Sequence, residues 1–188
     1  MAVATPLLTY EHYMAEGEIN RRYDILDGVR RYMTNPSIRH QDILFNIAAV
    51  LKSYGKSSGK GRMILAPCDI LIRRNPLRTR QPGVLYVSYE RFGSRDAFDP
   101  APLSPAPELA IEILSPSDSL STLDAKLDDY RSVGVLDCWV VDPAAQTIEV
   151  LRLSSHEASS VATFGAGQSV QSITFADLTL RVADVFAL

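Results

Sequence analysis

Three short and almost wholly apolar segments constrain the fold of this chain more than any other feature of its sequence. They span residues 84–87, 109–114 and 136–141. Apolar side chains occupy nearly every position in them, so we expect each segment to form a strand that is covered on both faces. Strands of this kind form the central part of a sheet in an α/β protein. The segments therefore predict an α/β fold with a buried central sheet.

Two amphipathic helices are predicted around these strands. The first begins after Ser37, a residue type that caps helices, and we expect Gly55 to end it. Its apolar stripe consists of Leu44, Ile47, Ala48, Leu51 and Tyr54. The second helix carries Leu123, Leu127 and Tyr130 on one face and is followed by Gly134. With residues 62–72 as a further strand, the predicted order is helix, three strands, helix, strand.

Additional elements are predicted on both sides of this core. The N-terminal part contains a short helix over residues 8–15 and a hairpin over residues 20–33, whose tight turn is Asp27-Gly28. On the C-terminal side we expect strands at 147–153, 160–163 and 169–173, then a short helix near Val182. A chain of 188 residues can bury one good core but is short for two. We therefore expect a single domain over residues 1–188.

Charge is distributed unevenly along the chain. Residues 1–80 contain 13 Lys and Arg against 7 Asp and Glu, whereas residues 81–188 contain 6 against 15. The basic first half would suit contacts with phosphates, and a solvated rim of loops and helix ends is an equally good interpretation. No apolar run approaches the roughly 20 residues of a membrane span. Cys68 and Cys138 lack the spacing of a zinc site or a disulfide framework, so we expect a reducing cytoplasm.

Glu112 stands out because it interrupts an apolar strand. Burial of a lone carboxylate is costly, so a metal ion, a cation or a proton should compensate its charge. Lys126 and Tyr130 lie four residues apart on the following helix and share a face. If that helix packs against the strand before it, Lys126 reaches back toward Glu112. A surface lysine paired with Asp128 or Asp129 is the alternative.

The predicted order of elements matches the core of the PD-(D/E)XK nuclease superfamily. More specifically, the chain resembles the Uma-type restriction endonuclease family from about Thr9 through Leu188. Six segments carry the resemblance: Tyr23-Asp24-Ile25-Leu26-Asp27-Gly28, Pro36-Ser37-Ile38-Arg39-His40-Gln41, Gln81-Pro82-Gly83-Val84-Leu85-Tyr86-Val87, Glu112-Ile113-Leu114-Ser115-Pro116-Ser117, Lys126-Leu127-Asp128-Asp129-Tyr130 and Trp139-Val140-Val141-Asp142-Pro143. Their order, rather than any one of them, is specific. The resemblance implies a restriction endonuclease-like α/β fold.

The resemblance also implies a metal-dependent endonuclease that hydrolyses phosphodiester bonds in DNA. Glu112 matches the family's metal-binding glutamate, and Mg²⁺ or Mn²⁺ is the implied cofactor. Leu114 occupies the position where the superfamily name expects lysine, and Lys126 on the following helix matches the lysine of this family. Asp24 falls where the family usually has glutamate and is an accessory candidate. His40 is better explained as a capping or packing residue than as a catalytic one.

The chain departs from the family pattern at Gly83. Where the family has an acidic residue after proline, this chain has Pro82-Gly83, and glycine has no side chain to offer a metal ion. Asp69 would lie on a neighbouring strand and is a candidate substitute, although a turn or solvent-facing role fits it better. The expected pair of carboxylates therefore lacks one member.

Three functions remain open from the sequence. The protein is a weakened or unusual endonuclease, or a non-catalytic nuclease-like domain that binds nucleic acid or a protein partner, or a structural oligomer. DNA is the expected ligand, and a homodimer is expected because many nucleases cut both strands as dimers. The hairpin at Asp27-Gly28 and the apolar tail ending at Leu188 offer surfaces for such an association.

Overall fold

The computed structural model describes residues 7–17, 19–93, 102–116 and 118–187, which form a mixed α/β fold. The helices are α1 (Tyr10–Ala15), α2 (Ile38–Ser58), α3 (Tyr89–Phe92), α4 (Leu120–Ser132) and α5 (Val182–Val185). The strands are β1 (Tyr23–Leu26), β2 (Val29–Tyr32), β3 (Gly61–Leu65), β4 (Ile70–Arg74), β5 (Leu77–Arg80), β6 (Val84–Ser88), β7 (Leu109–Ile113), β8 (Asp137–Asp142), β9 (Thr147–Leu153), β10 (Ala158–Phe164), β11 (Ser169–Gln171) and β12 (Thr179–Arg181). The predicted order of helix, three strands, helix and strand is confirmed by α2, β3, β6, β7, α4 and β8.

The three apolar segments form the centre of a six-stranded sheet with the order β10-β9-β8-β7-β6-β3. Strands β7 and β8 run parallel and are joined by the crossover helix α4, whereas the other neighbouring strands are antiparallel. Helix α2 packs on one face of this sheet and α4 on the other. Both faces of β7 are therefore covered, which accounts for its nearly continuous apolar sequence.

A second sheet, with the order β2-β1-β5-β4, lies beside α4 and corrects one prediction. Residues 62–72 do not form a single strand: β3 belongs to the large sheet and β4 to the small one. Pro67 lies in the break and has no N–H with which to continue a ladder, so the chain leaves one sheet there and enters the other. Strand β5 was not predicted, because Leu77–Arg80 is mostly polar.

The N-terminal hairpin and the end of α2 show what the glycines do. Asp27 and Gly28 have φ angles of 52° and 79°, which confirms the tight turn between β1 and β2. Gly55 does not end α2, contrary to the prediction. A Cβ at Gly55 would lie 3.0 Å from the carbonyl oxygen of Gly61, so the glycine permits close packing of the helix on β3. The helix ends instead at Gly59, whose φ is 61°.

The C-terminal segments complete the core on the α2 side of the sheet. Strands β11 and β12 form a small hairpin, of which β12 was not predicted, and α5 follows at the expected place. Their buried side chains join the cluster that α2 forms with the sheet: Val170, Leu178, Leu180, Val182 and Val185. The buried carboxylate of Asp137 fixes this region by accepting hydrogen bonds from Ser172 and Ile173. No helix in the described part of the chain is long and apolar enough to cross a bilayer.

Candidate functional site

Glu112 faces α4 because side chains alternate along β7. Ile111 and Ile113 point into the cluster formed with α2, and Ala110 points into the cluster formed with α4. Glu112 shares the face of Ala110 and has only 4% of its surface exposed. The otherwise apolar strand therefore carries one buried carboxylate, as its sequence predicted.

Helix α4 supplies both partners of the Glu112 carboxylate. The Nζ atom of Lys126 lies 3.0 Å from Oε2 of Glu112, and the Tyr130 hydroxyl donates a hydrogen bond to Oε1. The expected proximity of Lys126 and Glu112 is confirmed, and the contact is direct. The alternative partners of Lys126 are not used, because Asp128 pairs with Arg131 and Asp129 with two arginines.

Burial and the Glu112 charge set the protonation states of these two partners. Burial by itself lowers the pKa of the Lys126 amine, but the nearby Glu112 charge and its hydrogen bond outweigh burial and raise that pKa overall. Burial, followed by the Glu112 charge, raises the pKa of the Tyr130 hydroxyl well above its usual value. Lys126 is therefore charged and Tyr130 neutral near pH 7, and both act as donors toward Glu112.

Asp24, the accessory candidate, lies close enough to raise the pKa of Lys126 but is engaged elsewhere. The Nη1 atom of Arg80 lies 2.7 Å from Oδ2 of Asp24, and the backbone N–H of Gln81 donates to Oδ1 at 3.1 Å. Arg80 also pairs with Asp129 of α4 at 2.6 Å. Both oxygens of Asp24 thus belong to a buried ion-pair network that ties β1 and β5 to α4.

Asp69, the candidate substitute, lies in a separate cluster. Its carboxylate accepts hydrogen bonds from the Tyr13 and Tyr23 hydroxyls at 2.7 and 3.4 Å and from Nε2 of Gln81 at 3.3 Å. Burial raises the pKa of Asp69 against the lowering effect of these donors. No hydrogen bond links it to Glu112 or Lys126 in the described part of the chain, and its contacts instead fasten α1 to the small sheet.

Gly83 lies beside the Glu112 end of β7, one residue before the pairing of Val84 with Ile111. Its φ lies outside the left-handed region, so a side chain would meet no backbone strain there. A Cβ at this position would lie 3.4 Å from the Ile111 carbonyl oxygen and 3.7 Å from Cδ1 of Leu44. A side chain therefore fits at this position, but its first atoms would point toward the apolar side chains on the α2 side of the sheet and not toward Glu112.

Two further residues lie near Glu112: His40, which the sequence predicted only as a capping or packing residue, and Arg22, which it did not single out. The backbone N–H of His40 donates to the hydroxyl of Ser37, which is the N-cap of α2. The His40 imidazole lies beside the Ile113 carbonyl, and its Nδ1 is buried with no hydrogen-bond partner among the described residues. Burial, followed by the charge of Arg22, lowers the pKa of His40. The sequence did contain a signal that His40 faces the sheet, because His40 continues the helical stripe of Leu44, Ile47 and Leu51. Arg22 carried none, because its neighbours are distant in sequence.

The side chains around Glu112 do not fit the divalent metal centre that the resemblance implies. Mg²⁺ and Mn²⁺ are held by several oxygen ligands, of which two carboxylates would normally be protein groups. Here Glu112 is bonded to Lys126 and Tyr130, Gly83 offers no side chain, and Asp24 and Asp69 are engaged elsewhere. Within residues 7–17, 19–93, 102–116 and 118–187, no group of three or more His, Cys, Asp or Glu side chains is placed to hold a metal ion.

Comparison with known proteins identifies relatives of the chain. The model of the Uma2 family, described as "Putative restriction endonuclease", matches residues 9–183. A crystal structure from Anabaena variabilis ATCC 29413, described as a "putative nuclease belonging to DUF820", is similar to this chain with a TM-score of 0.75 at 22% sequence identity. The similarity covers 95% of this chain and 97% of that one, so the two share a fold. Among curated proteins, none matches this chain.

Proposed function

This chain belongs to the Uma2 family, and from that premise we propose that it binds DNA through a nuclease-like cleft whose capacity to hydrolyse phosphodiester bonds is weakened or lost. The fold is restriction endonuclease-like, and the cleft is our name for the region around the Glu112–Lys126 pair between β7 and α4, with His40 of α2 beside it. The proposal assigns binding to the cations of the cleft and the loss of hydrolysis to its carboxylates.

One observation carries this proposal: both oxygens of Glu112 are occupied by donors of this chain, and Gly83 leaves the neighbouring acidic position without a side chain. A hard divalent cation is held by several oxygen ligands that together carry negative charge. Glu112 is neutralised by Lys126, so the cleft offers little net negative charge to such a cation. A phosphate anion, in contrast, meets no uncompensated carboxylate at this point.

An active endonuclease is the second candidate, because Glu112 and Lys126 are in contact as the family resemblance requires. In that case Glu112 would hold Mg²⁺ or Mn²⁺ after Lys126 and Tyr130 move away, and Asp24 or Asp69 would have to change partners as well. We propose a homodimer as part of this second candidate function, because a dimer with two active sites would allow both DNA strands to be cut. The cysteines of the described residues, Cys68 and Cys138, are both free, which agrees with a cytoplasmic location.

The test compares wild type with Gly83→Asp, Gly83→Asn and Glu112→Gln. Metal binding is measured by calorimetric titration with Mg²⁺ and Mn²⁺, and hydrolysis by nicking of supercoiled plasmid. We expect wild type to bind DNA but to show little metal binding and little nicking. Gly83→Asp should gain metal affinity, because its carboxylate can turn from Leu44 toward Glu112 to share an ion, and the gain should vanish when Glu112→Gln is added.

The neutral variant separates charge from shape in this experiment. Gly83→Asn fills the same space, which is adequate for a side chain, but brings no charge. Without metal, Gly83→Asp should be less stable than Gly83→Asn, because its carboxylate starts beside Leu44 and Ile113; added Mg²⁺ should raise its melting temperature selectively. Plasmid nicking by wild type that is lost in Glu112→Gln would instead establish the second candidate.

A further inference from the structure

We propose that Arg22 forms a phosphate-binding subsite at the edge of this cleft, where it bonds to Gln81, and that it holds a phosphate of the nucleic-acid backbone. The inference rests on the proposed function, since it names a contact for the DNA that the cleft is proposed to bind. Neither the family description nor the resemblance assigns a role to this arginine.

The first support is an unsatisfied donor. Arg22 directly precedes β1, and its Nη2 donates to the Gln81 carbonyl oxygen at 2.7 Å. Its Nε is buried and has no hydrogen-bond partner in the described part of the chain. A buried N–H without an acceptor is destabilising, so a ligand oxygen that accepts from Nε gains a hydrogen bond that the protein alone does not make. A phosphate oxygen is such an acceptor, and arginine binds phosphates with a planar array of donors.

The second support is the balance of charge around the cleft. Lys126 is paired with Glu112, and Arg80 is paired with both Asp24 and Asp129. Arg22 has no carboxylate within ion-pair distance in the described residues. The positive charge of Arg22, which is partly buried, is therefore not compensated by a carboxylate there. An anion fits this position better than a cation or a neutral group.

The third support places Arg22 near the Glu112–Lys126 pair, because the Gln81 carbonyl that it bonds lies two residues before Gly83, which is beside the Glu112 end of β7. The charges of Arg22 and Glu112 both act on His40, whose imidazole lies beside the Ile113 carbonyl. The Nδ1 of His40 is a second buried nitrogen without a hydrogen-bond partner. The lowered pKa keeps the imidazole neutral near pH 7, so Nδ1, opposite the nitrogen that faces the Ile113 carbonyl, is an acceptor, and the phosphate is assigned to Arg22 alone.

Asp118 lies at the rim of this cleft and opposes a bound anion. It is exposed, its Oδ2 accepts from the backbone N–H and the hydroxyl of Ser115, and its charge acts on both His40 and Lys126. Removal of its charge should therefore strengthen phosphate binding, whereas removal of the Arg22 charge should weaken it. Asp118→Asn keeps an oxygen that can accept from Ser115, so its fold is preserved.

The experiment measures binding of a fluorescein-labelled DNA duplex to the full chain by fluorescence anisotropy, in EDTA and over a range of NaCl concentrations. We expect Arg22→Gln to weaken binding about tenfold at low salt, as for loss of a hydrogen bond to a charged group. The slope of log affinity against log salt should fall by about 0.9 for the lost phosphate contact. Asp118→Asn should bind about twofold more tightly, as for removal of one exposed charge.

Arg152→Gln and Glu157→Gln are the matched controls. Arg152 lies on β9 opposite Asp137 and Glu157 in the turn after β9, both at the other end of the large sheet from Glu112. Both controls should bind as wild type does. Arg22→Lys keeps the charge without Nε, so it should keep the salt slope and lose part of the affinity, which a folding defect would not do.

The outcomes separate this inference from the proposed function. Wild-type affinity and slope in Arg22→Gln, or an equal loss in Arg152→Gln, would overturn the Arg22 subsite while leaving DNA binding by the protein intact. Weaker binding by Asp118→Asn would show that the DNA phosphates do not lie beside Asp118, and therefore not in this cleft. A wild-type protein that binds no DNA at low salt would overturn both proposals.

Discussion

Helix α4 contacts a buried carboxylate on each of two sides, and the two clusters differ in how their charges are matched. Toward the small sheet, Asp129 and Asp24 share Arg80, and Arg78 adds a second cation to Asp129. Toward the large sheet, Glu112 has one lysine and one tyrosine. An arginine fork fixes two carboxylates in a defined geometry, whereas a lysine is a point charge on a flexible stem.

This difference indicates which cluster is structural and which can change. Each oxygen of Asp24 and Asp129 has a donor within the protein, as both oxygens of Glu112 do, but the charged donors on the small-sheet side are planar arginine groups. The Lys126 side chain is 16% exposed and that of Arg80 only 5%, so Lys126 can turn toward a ligand while Arg80 cannot. We therefore place ligand binding at the lysine side of α4 and mechanical connection at the arginine side.

The largest expected loss of stability follows from removal of the Arg80 guanidinium from its network with Asp24 and Asp129. Arg80→Met removes one cation from two buried carboxylates, so we expect the free energy of unfolding to fall by about 3–5 kcal/mol. Urea denaturation monitored by circular dichroism measures it. Arg181→Met is the control, because Arg181 forms an exposed pair with Asp184 and its loss should change stability by less than about 0.5 kcal/mol. Equal losses in the two variants would refute the structural role of Arg80.

A smaller effect is expected on the lysine side. Glu112→Leu leaves the Tyr130 hydroxyl buried without its acceptor, while Lys126 can still reach solvent, so we expect a loss of about 1–3 kcal/mol. Replacing all three residues, as Glu112→Leu with Lys126→Met and Tyr130→Phe, should bring stability back to within about 1 kcal/mol of wild type. Denaturation of the single and triple variants tests this. A triple variant much less stable than the single one would show that the polar cluster itself stabilises the fold.

The smallest effect concerns Asp69, a buried carboxylate with no cation in ion-pair contact among the described residues. Burial raises its pKa above the usual 3.8, so the folded state holds this proton more tightly than the unfolded state. Its stabilising contribution is therefore complete below pH 3.8 and is lost as the pH rises through the folded pKa. The loss amounts to about 1.4 kcal/mol for each pH unit that separates the pKa of the folded state from that of the unfolded state. The bonded Tyr23 has a pKa of about 12 and does not titrate in this window.

Asp69→Asn removes this titration and should gain stability relative to wild type as the pH rises from 4 to 7. The measurement is the difference in unfolding free energy between the two proteins at several pH values in this range. Asp184→Asn, at an exposed ion pair, serves as the control and should show no such trend. A constant difference for Asp69→Asn would mean that the folded protein leaves this pKa unchanged.

The large sheet and the Glu112–Lys126 contact were predictable because they depend on local patterns. Alternation along β7 and four-residue spacing on α4 fix the directions of Glu112, Lys126 and Tyr130 once the strand and the helix are placed. The crossover between parallel strands then brings the helix back over the strand. Short-range rules were sufficient here because the partners lie within 18 positions of one another.

The small sheet and the Arg22 region were not predictable for the opposite reason. Strand β5 is mostly polar because its arginines pair with Asp24 and Asp129, 56 and 49 positions away. Arg22 contacts Gln81 across 59 positions. Polar residues buried by distant ion pairs resemble a solvated loop in sequence, so hydrophobic pattern carries no signal for them. The division of residues 62–72 between two sheets escaped prediction because it too depends on which distant strands accept each half.

The packing of the C-terminal hairpin on α2 has a consequence for how the protein is made. Val170, Leu180 and Val185 belong to the same buried cluster as Ile43 and Leu51 of α2. During synthesis, α2 leaves the ribosome well before these partners, so part of its apolar stripe stays exposed until they are made. We therefore expect nascent chains that stop short of β11 to expose this stripe and to be bound by chaperones. The core on the α2 side of the large sheet is complete only after residue 185 has emerged.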